Sequence, residues 1–180
     1  MKKLTNTKLL EIDQLSPINR IRKVIQILRD PIDGCPWDLK QNYDSLAQYS
    51  VEEAYELVNA IDDKNPNEIK KELGDLLLQV VLISQVASDK GDFNFDDVAE
   101  EISKKIIRRH PQIFDENYKE NDLPHESWER IKNLENSETK IKSKNILDGI
   151  EKNIPSILRS IKIQKKYHLL ILIGQIMKEF

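Results

Sequence analysis

The sequence predicts an all-α protein, and three observations carry that expectation. Apolar residues recur at spacings of three and four, the period of one helix face rather than the alternation of a strand. Only 5 of 180 residues are glycine, fewer than the turns of a sandwich or barrel consume. Prolines and capping residues then divide the chain into pieces of helix length.

Residues 1–15 are polar with scattered Leu and Ile and form an N-terminal extension. Ser16-Pro17 supplies a cap and a proline at the first helical position, so a helix runs to about Arg29. Ile18, Ile21, Val24, Ile25 and Leu28 make its apolar face. The stretch DPIDGCPWD, 30–38, breaks that helix with two prolines and a glycine. A second helix spans about 44–62 through Leu46, Tyr49, Ala54, Leu57, Val58 and Ile61. Asn65-Pro66-Asn67-Glu68 is a variant capping box that opens a third helix, which runs to about Lys90 and stops at Gly91. Its LLLQVVLISQVA stretch is apolar too far round its circumference for a surface helix, so this helix is expected at the buried centre. At twelve residues the stretch is far short of the ~20 needed to cross a bilayer. A fourth helix fits 96–109, ended by His110-Pro111. A fifth fits 125–134, residues 136–144 read as a linker, and a last helix begins near Pro155.

The 28 basic residues against 31 acidic ones leave a net charge of −3. That balance gives no general attraction to nucleic acid or an anionic membrane, and neither is expected as a partner. Cys35 alone cannot form an internal disulfide, and the opening residues lack the apolar run of a signal peptide. Both features point to a reducing, cytoplasmic location.

The residues with the most chemical promise are Glu52, Glu53 and Glu56 in VEEAYE, and Glu72 and Asp75 in KELGD. Glu53 and Glu56 are three apart, as are Glu72 and Asp75, so each pair projects from one face of its own helix. The two helices are joined by a short turn, and in an antiparallel hairpin both pairs mirror about Lys64. Four carboxylates can therefore meet at one level. Crowded in a partly dry site they repel, and either protonation or a divalent cation must relieve that. Oxygen donors alone favour Mg²⁺ or Mn²⁺ over Zn²⁺. Acidic residues at these spacings also occur on solvated helix faces, so spacing alone leaves both readings open. Against the solvated face stands Glu72, which leads into the most apolar helix, where an unpaired carboxylate is costly. Gly74 would let a partner helix or ligand approach closely.

EEAYE, followed after fifteen residues by ELGD, resembles the E-E-x-x-E and E-x-x-D signature of the all-α nucleoside triphosphate pyrophosphohydrolases. The wider chain resembles the MazG family. LRDPIDGCPWD at 28–38, the 46–75 hairpin, GDLLLQVV from Gly74, RRHPQIF at 108–114, WERIK at 128–132, and LDGI with IPSILRSIKIQKK up to Lys166 follow that family in order. The resemblance implies a helical bundle built on the hairpin and completed by homodimerisation. It implies Mg²⁺-dependent hydrolysis of a nucleoside triphosphate to the monophosphate and pyrophosphate, a nucleotide-pool cleaning activity. Glu53, Glu56, Glu72 and Asp75 would be the metal ligands, with Glu53 and Glu52 the catalytic acids and Glu52 orienting water from outside the cluster. On this reading 16–135 is the catalytic domain and 136–180 a linker and C-terminal helix.

A triphosphate also needs cations. Lys104, Lys105, Arg108 and Arg109 form a basic cluster, of which Lys105 and Arg109, one turn apart, are the preferred phosphate contacts, with Arg108 beside them. Complementing the dipole of their own helix is the other role such residues play. Trp37 and Trp128 can stack on a base or serve as loop and core anchors. Histidine and Cys35 have no evident chemical role. Two departures qualify the resemblance: long MazG proteins carry two copies of the domain and this chain one, and 167–180 does not look like the family's continuation. A narrower dUTPase-like hydrolase and a catalytically silent helical regulator that keeps metal or nucleotide binding are the alternatives.

Overall fold

The computed structural model describes residues 5–118 without interruption, together with positions 128, 130, 131, 135, 150, 155, 156, 159–164 and 167. Helices α1 (Asn6–Asp13), α2 (Pro17–Leu28), α3 (Pro36–Lys40), α4 (Tyr43–Asp62), α5 (Pro66–Lys90), α6 (Phe95–Arg108) and α7 (Pro111–Phe114) occupy the continuous part. Among the described residues there is no strand, so the protein is all-α. The chain divides into two compact units, Met1–Phe114 and Asp115–Phe180, and the expected 16–135 segment spans that division.

The helix boundaries follow local chemistry. Pro17 opens α2 at its first turn. Asn42 and Ser45 form a reciprocal capping box at α4, each bond 3.0 Å, and Asn94 and Asp97 form another at α6. At α5 the expected box is only half made. Asn65 accepts from the Asn67 N–H at 3.1 Å, while Glu68 lies 4.0 Å from Lys71. Gly91 ends α5 with φ 76°, the left-handed cap that glycine adopts without a Cβ penalty.

Three expectations are corrected. The N-terminal extension contains helix α1, capped by Thr5, whose hydroxyl accepts from the Lys8 N–H at 3.4 Å; none of its residues is buried, which is why it left no strong apolar signature. The proline-rich loop gives way at Pro36 to the short helix α3, because proline suits a first helical turn. Finally, α5 is not buried all round. Its core-facing side holds Glu72, Gln79, Val81, Leu82, Ser84, Val86 and Ala87, but Leu73, Leu77 and Val80 are 50%, 40% and 39% exposed. The expected fifth helix, the linker at 136–144 and the segment 167–180 lie largely outside the described residues. Near Pro155, Ser156, residues 159–164 and Tyr167 are helical.

The core of the first unit is Ile25 from α2, Leu46 from α4, and Val81, Leu82 and Val86 from α5, with Tyr49, Leu78 and Phe95 among the residues packed against it. The loop between α2 and α3 is fastened to this core. Arg29 pairs through Nε with Asp89 of α5 at 2.7 Å, its side chain 7% exposed, and its Nη1 donates to the backbone carbonyls of both Asp38 and Gln41. Asp30 closes the turn by accepting from the Ile32 and Asp33 N–H groups at 2.9 and 2.8 Å. The loop is therefore built rather than slack, and it presents Trp37 edge-on to Tyr49, with ring centroids 6.2 Å apart.

Candidate metal centre

Among the described helices, α4 and α5 pack against each other most extensively and form an antiparallel hairpin. Its turn is short because Lys64 takes φ 53°, a left-handed conformation uncommon outside glycine. The side of α4 that faces inward begins apolar with Leu46 and half-buried Tyr49, turns acidic at Glu53 and Glu56, and ends at buried Ala60. The matching side of α5 carries Glu72, Asp75, Gln79, Leu82 and Val86, at spacings of three and four. Two acidic stretches thus meet just above an apolar core.

Carboxylate oxygens of Glu53, Glu56 and Glu72 lie within 4.8 Å of one another. A hard cation takes carboxylate oxygens at ~2.1 Å, so Glu53, Glu56 and Glu72 would hold one by drawing closer together around it. Asp75 stands outside that triplet but acts on it: its charge, then those of Glu56, Glu72 and Glu52, raise the pKa of Glu53. Loss of hydration on burial is the larger cause of the same rise. The charges that shift Glu53 are all negative.

Glu72 gives the sharpest test of whether a cation fits. The residue is 4% exposed. Its Oε1 accepts from the Lys71 ammonium at 2.8 Å, whereas its Oε2 is buried without a hydrogen-bond partner. An orphaned carboxylate oxygen in a dry setting costs several kcal/mol, and a divalent cation held by neighbouring carboxylates removes that cost. Lys71 meanwhile gains a proton affinity above the ordinary lysine value, chiefly from its hydrogen bond and charge contact with Glu72. Sequence reading overlooked Lys71, since adjacent residues on a helix do not normally face each other. Within this chain Gly74 borders open space: among the described residues, a Cβ there would meet nothing within 4 Å.

Residues 41–114 match the family model of the MazG nucleotide pyrophosphohydrolase domain. Over 153 residues, 84% of this chain, it is 40% identical to the nucleoside triphosphate pyrophosphohydrolase of Escherichia coli strain K12. The chain carries a domain of the MazG family. It is also 39% identical over 142 residues to the nucleoside triphosphate pyrophosphohydrolase/pyrophosphatase MazG of Thermotoga maritima. The chain spans about half the length of these curated relatives, 57% and 53%. A crystal structure of a MazG-related protein from Thermotoga maritima shares the fold, with a TM-score of 0.52 at 23% identity, over 64% of this chain and 98% of that one. The matched range holds the whole acidic hairpin and α6; the Trp37 loop lies just before it.

Two of the four basic residues expected to meet phosphate pair with acidic residues of their own helix. Lys104 pairs with Glu100 at 3.0 Å and Lys105 approaches Glu101 at 3.8 Å, both within α6. Arg108 ends that helix exposed, and half-buried Arg109 is its C-cap. Glu52 is exposed on α4 and Trp37 is 52% exposed. Trp128 is half-buried and belongs to the second unit. Among the described residues no helix is long and apolar enough to cross a membrane.

Proposed function

We propose that this MazG chain hydrolyses nucleoside triphosphates to the monophosphate and pyrophosphate, with Mg²⁺, or Mn²⁺ in its place, held by Glu53, Glu56, Glu72 and Asp75. The observation that carries the reading is the buried, unpartnered Oε2 of Glu72 inside a triplet of converging carboxylates. A bound divalent cation supplies charge neutralisation for the phosphates and lowers the pKa of water. The chain's own side chains do the rest. Glu53, which holds its proton more tightly than an ordinary carboxylate, and Glu52, exposed beside it, orient the attacking water. Lys105, Arg109 and Arg108 neutralise the outer phosphates, and Trp37 offers an aromatic face to the base. Such an activity suits cleaning of the nucleotide pool in a reducing cytoplasm.

Pyrophosphate release from a panel of ribo- and deoxynucleoside triphosphates, with Mg²⁺ and then with EDTA, tests this reading. Release that EDTA stops is the expected result. Activity confined to dUTP would select the narrower hydrolase. Silence from folded, metal-binding protein would select the regulatory alternative.

The same reading includes a homodimer. Val51, Tyr55 and Val58 line one stripe of α4, and Leu73, Leu77 and Val80 one stripe of α5, all between 39% and 53% exposed. The hairpin register sets Val51 level with Leu77 and Tyr55 level with Leu73, so the stripes form one apolar surface of the kind monomers rarely expose. A second copy of the hairpin covers it by isologous packing. Light scattering is expected to give twice the chain mass, and Leu77→Glu to halve it; a wild-type monomer at micromolar concentration would overturn the assignment.

A further inference from the structure

Lys71 makes a contact that helix geometry does not readily offer it. Adjacent helical residues point about 100° apart, and the ordinary partner of Lys71 is Glu68, nearly one turn back. Its ammonium lies 4.0 Å from that carboxylate yet 2.8 Å from Oε1 of Glu72. The side chain thus bends across the helix toward the more deeply buried acid, 6% exposed against 52% for Glu68. A charge contact is stronger where water is excluded. The two oxygens of Glu72 are thereby made unequal: Oε1 is taken by the ammonium, while Oε2 is buried without a hydrogen-bond partner. Held this way, Glu72 can give a cation one oxygen but not both.

That restriction sorts divalent cations. Mg²⁺ demands a near-ideal octahedron, and the two oxygens of one carboxylate stand too close together to fill neighbouring corners of it. Ca²⁺ gathers more oxygens in a looser shell and takes carboxylates through one oxygen or both. We propose that Lys71 is a positioning residue that holds Glu72 to single-oxygen ligation through Oε2, and so biases the carboxylate site toward Mg²⁺ and Mn²⁺ over Ca²⁺. The proposal rests on the metal site proposed above and adds what selects the ion there. The Lys71 side chain is 62% exposed, so its ammonium keeps contact with water and stays on Oε1 when the metal binds.

Calorimetric binding of Mg²⁺, Mn²⁺ and Ca²⁺ to the metal-free full chain tests it, with Lys71→Met and Lys71→Arg beside wild type. Removing a positive charge tightens the binding of every divalent cation, so the readout is the ratio of Ca²⁺ to Mg²⁺ affinity rather than either affinity alone. Lys71→Met frees Oε1 and is expected to raise that ratio about tenfold. Lys71→Arg, which keeps the charge and the donor, is expected to restore most of the wild-type ratio. Circular dichroism checks that each variant is folded; Lys71→Gln carries the same comparison if Lys71→Met is not. Equal tightening of Mg²⁺ and Ca²⁺ in Lys71→Met would mean that the ammonium merely competes with the metal, and would overturn the proposal while leaving the metal site standing. Folded wild-type protein that binds none of the three ions would sink the metal reading and the proposal with it. The expected change of ratio without pyrophosphate release would leave the selectivity standing and sink the hydrolysis reading.

Discussion

Glu53→Gln is expected to reduce metal-dependent pyrophosphate release by on the order of 10³-fold and to weaken Mn²⁺ binding, while the helical circular dichroism stays unchanged. The substitution keeps the shape and removes one unit of charge from the point where five acidic side chains act together. It also carries a stability signature of definite sign. The folded-state pKa of Glu53 is raised by burial and by Asp75, Glu56, Glu72 and Glu52, so the native state binds that proton more tightly than the unfolded chain. Its contribution to stability is then fully present below the unfolded pKa and is lost as pH rises through the elevated folded pKa. Metal-free wild-type protein should therefore lose thermal stability between mildly acidic and neutral pH. In Glu53→Gln, which has no such proton to lose, that decline should be shallower, and at neutral pH the metal-free variant should melt above wild type. Saturating Mg²⁺ should reverse the order, because a ligand that binds only the native state stabilises it. Thermal melts in EDTA and in Mg²⁺ across this pH range check each step. Full activity in the variant would remove Glu53 from the site.

The hairpin and its register were legible in the sequence because they depend on local rules. Helical periodicity defined α4 and α5, Asn65-Pro66 and Gly91 punctuated them, and a short turn forced antiparallel pairing about Lys64. The convergence of Glu53, Glu56 and Glu72 then followed from spacing alone. Pairings between distant segments were not legible. Nothing local announces that Arg29 will reach Asp89, that Arg22 of α2 will hold Asp96 of α6 at 2.6 Å, or that Lys71 will turn toward its immediate neighbour. The sequence also cannot say which chain covers an apolar stripe. Leu73, Leu77 and Val80 read as core by pattern, yet they are 50%, 40% and 39% exposed. Gln79 went unnoticed for the converse reason, since a single polar residue in an apolar run reads as an interruption until its burial is known.

Gly34→Ala is expected to destabilise the protein by about 3 kcal/mol and to weaken nucleotide binding through the displaced loop. A Cβ at Gly34 would fall 2.4 Å from the Asp30 carbonyl oxygen, 2.5 Å from the Leu28 carbonyl oxygen and 2.8 Å from the Asp30 nitrogen. All three are backbone atoms, so no rotamer change relieves the overlap and the turn itself must open. Opening it breaks the Gly34 N–H bond to Asp30 O at 2.9 Å and the Cys35 N–H bond to Leu28 O at 2.7 Å. Cys35 is the N-cap of α3, so the disturbance passes directly to Trp37 two residues later. Gly74→Ala is the matched control: the added methyl meets nothing within 4 Å, and alanine in a helix interior gains up to about 1 kcal/mol over glycine. Urea unfolding of the two variants should therefore move in opposite directions. Mn²⁺ binding, which depends on the α4–α5 hairpin, should survive in Gly34→Ala even where nucleotide affinity falls. A Gly34→Ala protein as stable as wild type would mean that the turn relaxes at little cost, and the rigid presentation of Trp37 would lose its physical basis.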